Sequence, residues 1–213
     1  MWQSAGITEP GCRARPLMLG CVVLFVLQAG AGSAHVSRMG NAQSAGVPIK
    51  EITHGQMPVI SRYGSDILAL AARQPAKTDD FQRVLNYTQI QKAYCLWGLV
   101  PGSISDESSP FNACSHAYLA GMRELLLRMT ADGGTPAAVD LARRVDGDMV
   151  MSSTALEFCN YSATPYDTAT VVRPVLADMA GHPRTVASLG GLAALLVLAT
   201  ALFFRWSARA AVL

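Results

Sequence analysis

The chain has 213 residues, 51% of them apolar, and a formal net charge of +2. It is too apolar and too weakly charged for intrinsic disorder, and it lacks the clustered basic footprint of a nucleic-acid binder. Arg13, Arg15, Arg205 and Arg209 flank two apolar ends, and only Glu9 among the acids lies outside residues 35–185, so the middle of the chain is close to neutral.

At the start, Arg13 and Arg15 precede an apolar run over residues 17–27, followed by small residues up to Ala34. Basic, apolar and small-residue parts in that order make a secretory signal. Residues 1–34 therefore read as a signal peptide or as an uncleaved anchor, with an organelle-targeting segment as a third reading. Met18-Leu19-Gly20-Cys21 has the look of a lipoprotein box, but the apolar run continues past Cys21, which argues against that processing. Residues 35–57 are small and polar without period and read as a flexible linker.

Residues 58–160 carry helical signals and no useful strand alternation. The expected fold class is all-α, a small bundle of three to four helices outside the cytoplasm plus one C-terminal transmembrane helix. A short helix fits residues 58–73, ended by Gln74-Pro75. A stronger one starts at Thr78, a natural N-cap, with Asp79 and Asp80 in the first turn, where the helix dipole favours acids. It should run to about Val100 and stop before Pro101-Gly102. Phe81, Val84, Leu85, Cys95 and Leu99 share one face at 100° per residue. Tyr87, Ile90, Tyr94 and Trp97 form a second stripe, so the helix should pack on more than one neighbour. Core packing is the plain reading of Tyr87, Tyr94 and Trp97, and a partner-facing aromatic surface is the functional one.

A polar connector over residues 102–109 leads to Ser109-Pro110, an N-cap followed by a first-turn proline. The helix beyond it should reach Thr130, with Cys114, Tyr118, Leu119, Met122, Leu125, Leu126 and Met129 on one side. Ala131-Asp132-Gly133-Gly134 breaks it. Thr135 then caps a third helix that begins with Pro136. Its apolar face is expected to hold Leu141, Ala142, Val145, Met149, Leu156 and Cys159.

Cys95, Cys114 and Cys159 are the disulfide candidates. If the three helices are sequential antiparallel neighbours, all three cysteines fall at one end of the bundle and on apolar faces. An oxidising exterior favours pairing. Cys95–Cys114 comes first and Cys114–Cys159 second. The other readings are three inert buried thiols, or a thiolate metal site. His116, two residues beyond Cys114, points about 200° away and reads as solvated. His54 lies in the linker and His182 near the membrane, without ligand spacing. No metal and no cofactor are therefore expected.

The acid pairs Asp106/Glu107 and Asp146/Asp148 read as solvated charge, since a catalytic dyad needs burial to split its pKa values. No C-x-x-C, H-E-x-x-H, phosphate-binding loop or nucleophile elbow occurs. Asn86-Tyr87-Thr88 and Asn160-Tyr161-Ser162 match the glycosylation pattern.

Residues 161–185 are irregular and read as a juxtamembrane segment. Residues 186–204 contain no charge and no proline, and 19 residues at about 1.5 Å each just span a hydrocarbon core. Arg205 and Arg209 follow, which by the positive-inside rule makes residues 205–213 a cytoplasmic tail. Ala187/Gly191 and Gly190/Ala194 have the small-residue spacing that permits close helix contact. The sequence thus points to a single-pass inner-membrane protein with its domain in the periplasm. The expected role is a non-enzymatic accessory or interaction protein of an envelope complex, with a protein partner in the membrane or periplasm and no nucleic acid. The alternative is a periplasmic metal- or thiol-redox-handling protein using Cys95, Cys114 and Cys159.

Overall fold

A computed structural model describes residues 46–131, 134–153 and 156–210. The signal or anchor segment (1–34), the first part of the expected linker (35–45), Asp132 and Gly133 of the expected helix break, and the last three tail residues lie outside the described residues.

Among the described residues six α-helices form the frame: α1 (Met57–Arg62), α2 (Gly64–Ala72), α3 (Asp79–Tyr94), α4 (Asn112–Thr130), α5 (Pro136–Ser152) and α6 (Pro183–Ala210). Residues 48–49 (β1) pair antiparallel with residues 166–167 (β2), in the register Pro48 to Asp167 and Ile49 to Tyr166. Two residues per strand are too few for any alternation to register in a sequence, which is why no strand was expected there.

Helix α4 is the centre. It touches α1, α2, α3, α5 and β1, and every residue from Cys114 to Met122 is buried. Its tightest partner is α3. A Cβ on Gly121 would lie 2.5 Å from Thr88 Oγ1, so the backbones meet closely there. The second close contact joins Cys95 to Cys114, with Cα atoms 5.5 Å apart. The two contacts are seven residues apart on each chain segment and run in opposite directions, so α3 and α4 are antiparallel.

The capping expectations hold at two helices. Thr78 Oγ1 accepts from Phe81 N–H at 3.2 Å, and Thr135 Oγ1 accepts from Ala138 N–H at 3.3 Å. At α4 the helix begins after Phe111, which has no side-chain cap, and Ser109 Oγ instead accepts from Phe111 N–H.

Three boundaries differ from expectation. The single helix over residues 58–73 is two, α1 and α2, divided at Tyr63. Gly64 then sits against α4, where a Cβ would meet Met122 Sδ at 3.0 Å. Helix α3 ends at Tyr94 rather than Val100. Leu96 adopts φ 45°, and Trp97 N–H and Leu96 N–H donate back to Lys92 and Ala93 carbonyls, which is a Schellman closure. Helix α5 ends at Ser152, where Ser153 turns left-handed at φ 51°. Leu156 is exposed and Cys159 lies beyond the helix, so neither belongs to its apolar face.

Residues 46–57, expected to be part of the flexible linker over 35–57, are not. From Gly46 the chain is built into the fold: Val47, Ile49, Ile52 and Met57 are all buried. Val47 N–H donates to Thr168 Oγ1 at 2.8 Å, and Thr168 N–H donates back to Val47 O at 3.0 Å.

Helix α6 differs from the rest. It is long and apolar enough to cross a membrane: the most apolar 18-residue window within Pro183–Ser207 has a mean hydropathy of 2.3, and none of that window is buried within the protein. A core helix of a soluble domain of this composition would be covered.

Candidate functional site

Two places gather the chemistry of this chain: the foot of α6, and a cluster on the far side of α4 from the disulfide.

At the foot, His182 acts as the N-cap of α6. Its carbonyl accepts the first helical hydrogen bond from Val186, and its Nδ1 accepts from Thr185 N–H at 3.2 Å. Nδ1 also lies 2.7 Å from Thr185 Oγ1, and Nε2 lies 3.2 Å from Asp106 Oδ2. Arg184 reaches the same oxygen at 3.3 Å, and Ser188 Oγ donates to the Leu99 carbonyl. Asp106 is therefore the tie between the α3–α4 connector and α6, not a freely solvated acid. The Ser108 hydroxyl, then His182, hold its carboxyl below the ordinary aspartate range; burial opposes them, and the Ser108 N–H adds to them. Asp148, of the other acid pair, bonds Arg62 at 2.7 Å and Tyr63 at 3.0 Å and so ties α5 to the end of α1 and to the junction between α1 and α2. That side chain too is engaged rather than solvated.

The three sequence-expected aromatics part company. Tyr87 is buried, with its hydroxyl unpartnered. Burial, with a smaller push from Asp167, drives that phenol far up. Trp97 is half-buried and lies on Tyr118, ring centroids 4.6 Å apart. Only Tyr94 is exposed, beneath the guanidinium of Arg173. Ile90 is exposed beside it.

The cysteines also separate. Cys95 and Cys114 form the disulfide, the first of the expected pairings. Cys159 remains a free thiol. It does not reach Cys114, because that face of α4 is turned to α3.

Cys159 meets His116 instead. A position about 200° around from Cys114 predicts a solvated His116. The angle is right and the inference is not: α4 is covered on all sides from Cys114 to Met122, so its opposite face there is also interior, and His116 has no exposed surface. Its Nε2 lies 3.0 Å from Cys159 Sγ. Desolvation first, and then the neighbouring His54, lower its pKa to about 4, with the Ile52 carbonyl acting weakly the other way. The ring is neutral at pH 7.

His54 completes the cluster, its ring centroid 6.0 Å from that of His116. It opens a 3-10 turn over His54–Gln56, closed by a reciprocal capping box between Thr53 and Gln56. The Thr-x-x-Gln spacing was present in the sequence as a signal of order in the supposed linker. Ser162 locks the cluster from behind. Its Oγ accepts from His54 N–H at 3.1 Å and from Cys159 N–H at 2.9 Å, and its hydroxyl donates to Cys159 Sγ at 3.5 Å. Gly55 N–H donates to the Glu157 carbonyl at 3.2 Å. Two imidazoles and one thiol are thus held together by segments from three parts of the chain.

Neither a protein-family model, nor a curated protein, nor a solved structure matches this chain.

Proposed function

We propose that this is a single-pass membrane protein whose helical domain stands outside the cytoplasm and serves as an accessory or interaction module of an envelope complex rather than as an enzyme. The observation that carries this reading is α6, an uncovered apolar helix rooted in the folded domain by His182, Asp106 and Ser188. Uncovered apolar surface on that scale is costly in water and favourable in lipid. The Cys95–Cys114 disulfide supports an oxidising compartment for the domain. Arg205 and Arg209 after the apolar run support a cytoplasmic C-terminus. Exposed Ile90 and Tyr94 on α3 offer a partner-facing patch.

Membrane fractionation and paired reporters test the topology. The full chain should leave the membrane only with detergent, a phosphatase joined after Gly181 should be active only outside the cytoplasm, and a fluorescent reporter joined after Leu213 should fold inside. Full-length protein in the aqueous phase without detergent ends the reading. Recovery of the native protein alone after mild solubilisation and cross-linking removes the accessory role while leaving the topology standing.

The metal- or thiol-handling alternative survives in changed form. Two of its three expected cysteines are consumed by the disulfide, and its residues become His54, His116 and Cys159.

A further inference from the structure

His54, His116 and Cys159 come from the 3-10 turn before α1, from the middle of the fold in α4, and from the segment beyond α5. One ring nitrogen of each histidine and Cys159 Sγ all lie within 4.8 Å of one another. We propose that these three side chains bind a single closed-shell transition-metal cation, Zn2+ or Cu+, through two imidazoles and a thiolate.

The distances suit the chemistry. Metal–nitrogen bonds of about 2.0 Å and metal–sulfur bonds of about 2.3 Å place tetrahedral donors roughly 3.3–3.6 Å apart. The donor separations here run from the 3.0 Å of Cys159 Sγ to His116 Nε2 up to the 4.8 Å limit of the trio. Adjustments of a few tenths of an ångström on one side and about an ångström on the other close the site.

The donor types select the ion. Imidazole and thiolate favour zinc and copper, while calcium and magnesium require oxygen ligands. Among the described residues, no carboxylate belongs to the cluster. The rings also carry an unmet need. Nδ1 of His54 and Nδ1 of His116 are both buried without a hydrogen-bond partner. Buried polar atoms are normally satisfied; a cation on His54 Nδ1 would offset that cost there, whereas at His116 the atom beside Cys159 is Nε2, so binding leaves its Nδ1 as it is.

The surroundings are those of a built site. Ser162 is almost fully buried, bonds the backbone N–H of two of the three residues, and donates its hydroxyl to Cys159 Sγ, which is the contact an outer-shell group makes to a ligand atom. His54 and Cys159 are only half-buried, which leaves an entry side, whereas His116 forms the floor. Three protein donors satisfy Cu+ directly and leave Zn2+ one position for water. Binding replaces the Cys159 S–H proton by the cation. One proton goes to solvent for each ion bound, and no electron moves.

The test uses the full chain in detergent, stripped with a chelator and with its disulfide intact. Co2+, as a spectroscopic stand-in for Zn2+, should bind one per chain with a thiolate-to-cobalt charge-transfer band and the strong visible bands of a four-coordinate site. Zn2+ should bleach both. A parallel anaerobic titration with Cu+ against a competing chelator shows which ion binds more tightly, and preference for either supports the site. Cys159→Ser should abolish the charge-transfer band, and His54→Gln or His116→Gln should weaken binding about 100-fold or more. Because His116 is a core residue, its variant could misfold, so a second readout uses the native chain alone: Zn2+ or Cu+ should protect Cys159 from alkylation. Binding that survives Cys159→Ser unchanged, or alkylation equally fast with and without both ions, overturns the proposal.

Discussion

The side-chain amide of Gln91 clamps the backbone of Val172: Nε2 donates to the Val172 carbonyl at 2.5 Å, and Oε1 accepts from Val172 N–H at 3.1 Å. Gln91 is fully buried on α3, and Val172 is 81 residues away in the segment that leads from β2 to α6. The pair works like one rung of a sheet supplied by a side chain. Gln91→Ala removes both bonds and leaves two backbone groups half-buried and unmatched, so the fold should lose about 1–3 kcal/mol. Thermal unfolding in detergent measures the loss. Hydrogen exchange at the Val172 amide should quicken in step with it, and an unchanged rate would mean that this segment is held by something else.

Tyr87 poses the opposite case. Its hydroxyl is buried without a partner, within reach of the charge of Asp167. Removing an unsatisfied polar atom while keeping the ring should be neutral or should stabilise by up to about 1 kcal/mol. Tyr87→Phe tests that by thermal unfolding, against Tyr87→Ala, which should cost about 3 kcal/mol or more through the cavity it leaves. A clear loss of stability in the Phe variant would show that the hydroxyl is bonded.

The disulfide closes the loop that contains Asp106. On chain-entropy grounds a link across 19 residues contributes about 3 kcal/mol. Cys95→Ala with Cys114→Ala should lower the melting temperature accordingly, and His182 and Thr185 at the foot of α6 should gain exchange. Of these three cysteines, only Cys159 should react with an alkylating agent before reduction. Alkylation of Cys95 and Cys114 in the untreated protein would refute the pairing.

Asp106 sets a pH dependence. Its folded pKa lies below the unfolded value, held there first by the Ser108 hydroxyl and then by His182, with Arg184 also reaching the same carboxyl. A lowered carboxyl favours the folded state fully above the unfolded pKa of about 3.9, and the gain is lost as pH falls through the folded value. Asp106→Asn should therefore be less stable than the native chain at neutral pH, and the two curves should converge in acid. Circular dichroism across an acid titration reads this directly. A difference that does not change with pH would remove the carboxylate from the account.

Parts of the fold were legible because the forces that make them are local. Thr78 with two acids after it, and Thr135 followed by Pro136, announce helix starts through contacts within four residues. The cysteine pairing was legible because Cys95 and Cys114 stand at similar distances from one connector, on faces that both need cover. The order in residues 46–57 was not read. Its local sign, the Thr53–Gln56 box, was short, and its main support lies more than 100 residues away in Thr168 and Ser162.

By itself the sequence determined that the chain is mostly helical and that its last long helix has the composition of lipid-facing structure, and it placed Cys95–Cys114 first among several readings of the cysteines. Only the tertiary structure decided where His116 goes. Helical periodicity fixes the angle between His116 and Cys114, but it cannot say whether the opposite face meets water or another segment. Here it meets the His54 turn and Cys159, because the chain ends of the domain fold back over α4, and a face that would have been surface becomes the floor of the one His–Cys cluster among the described residues.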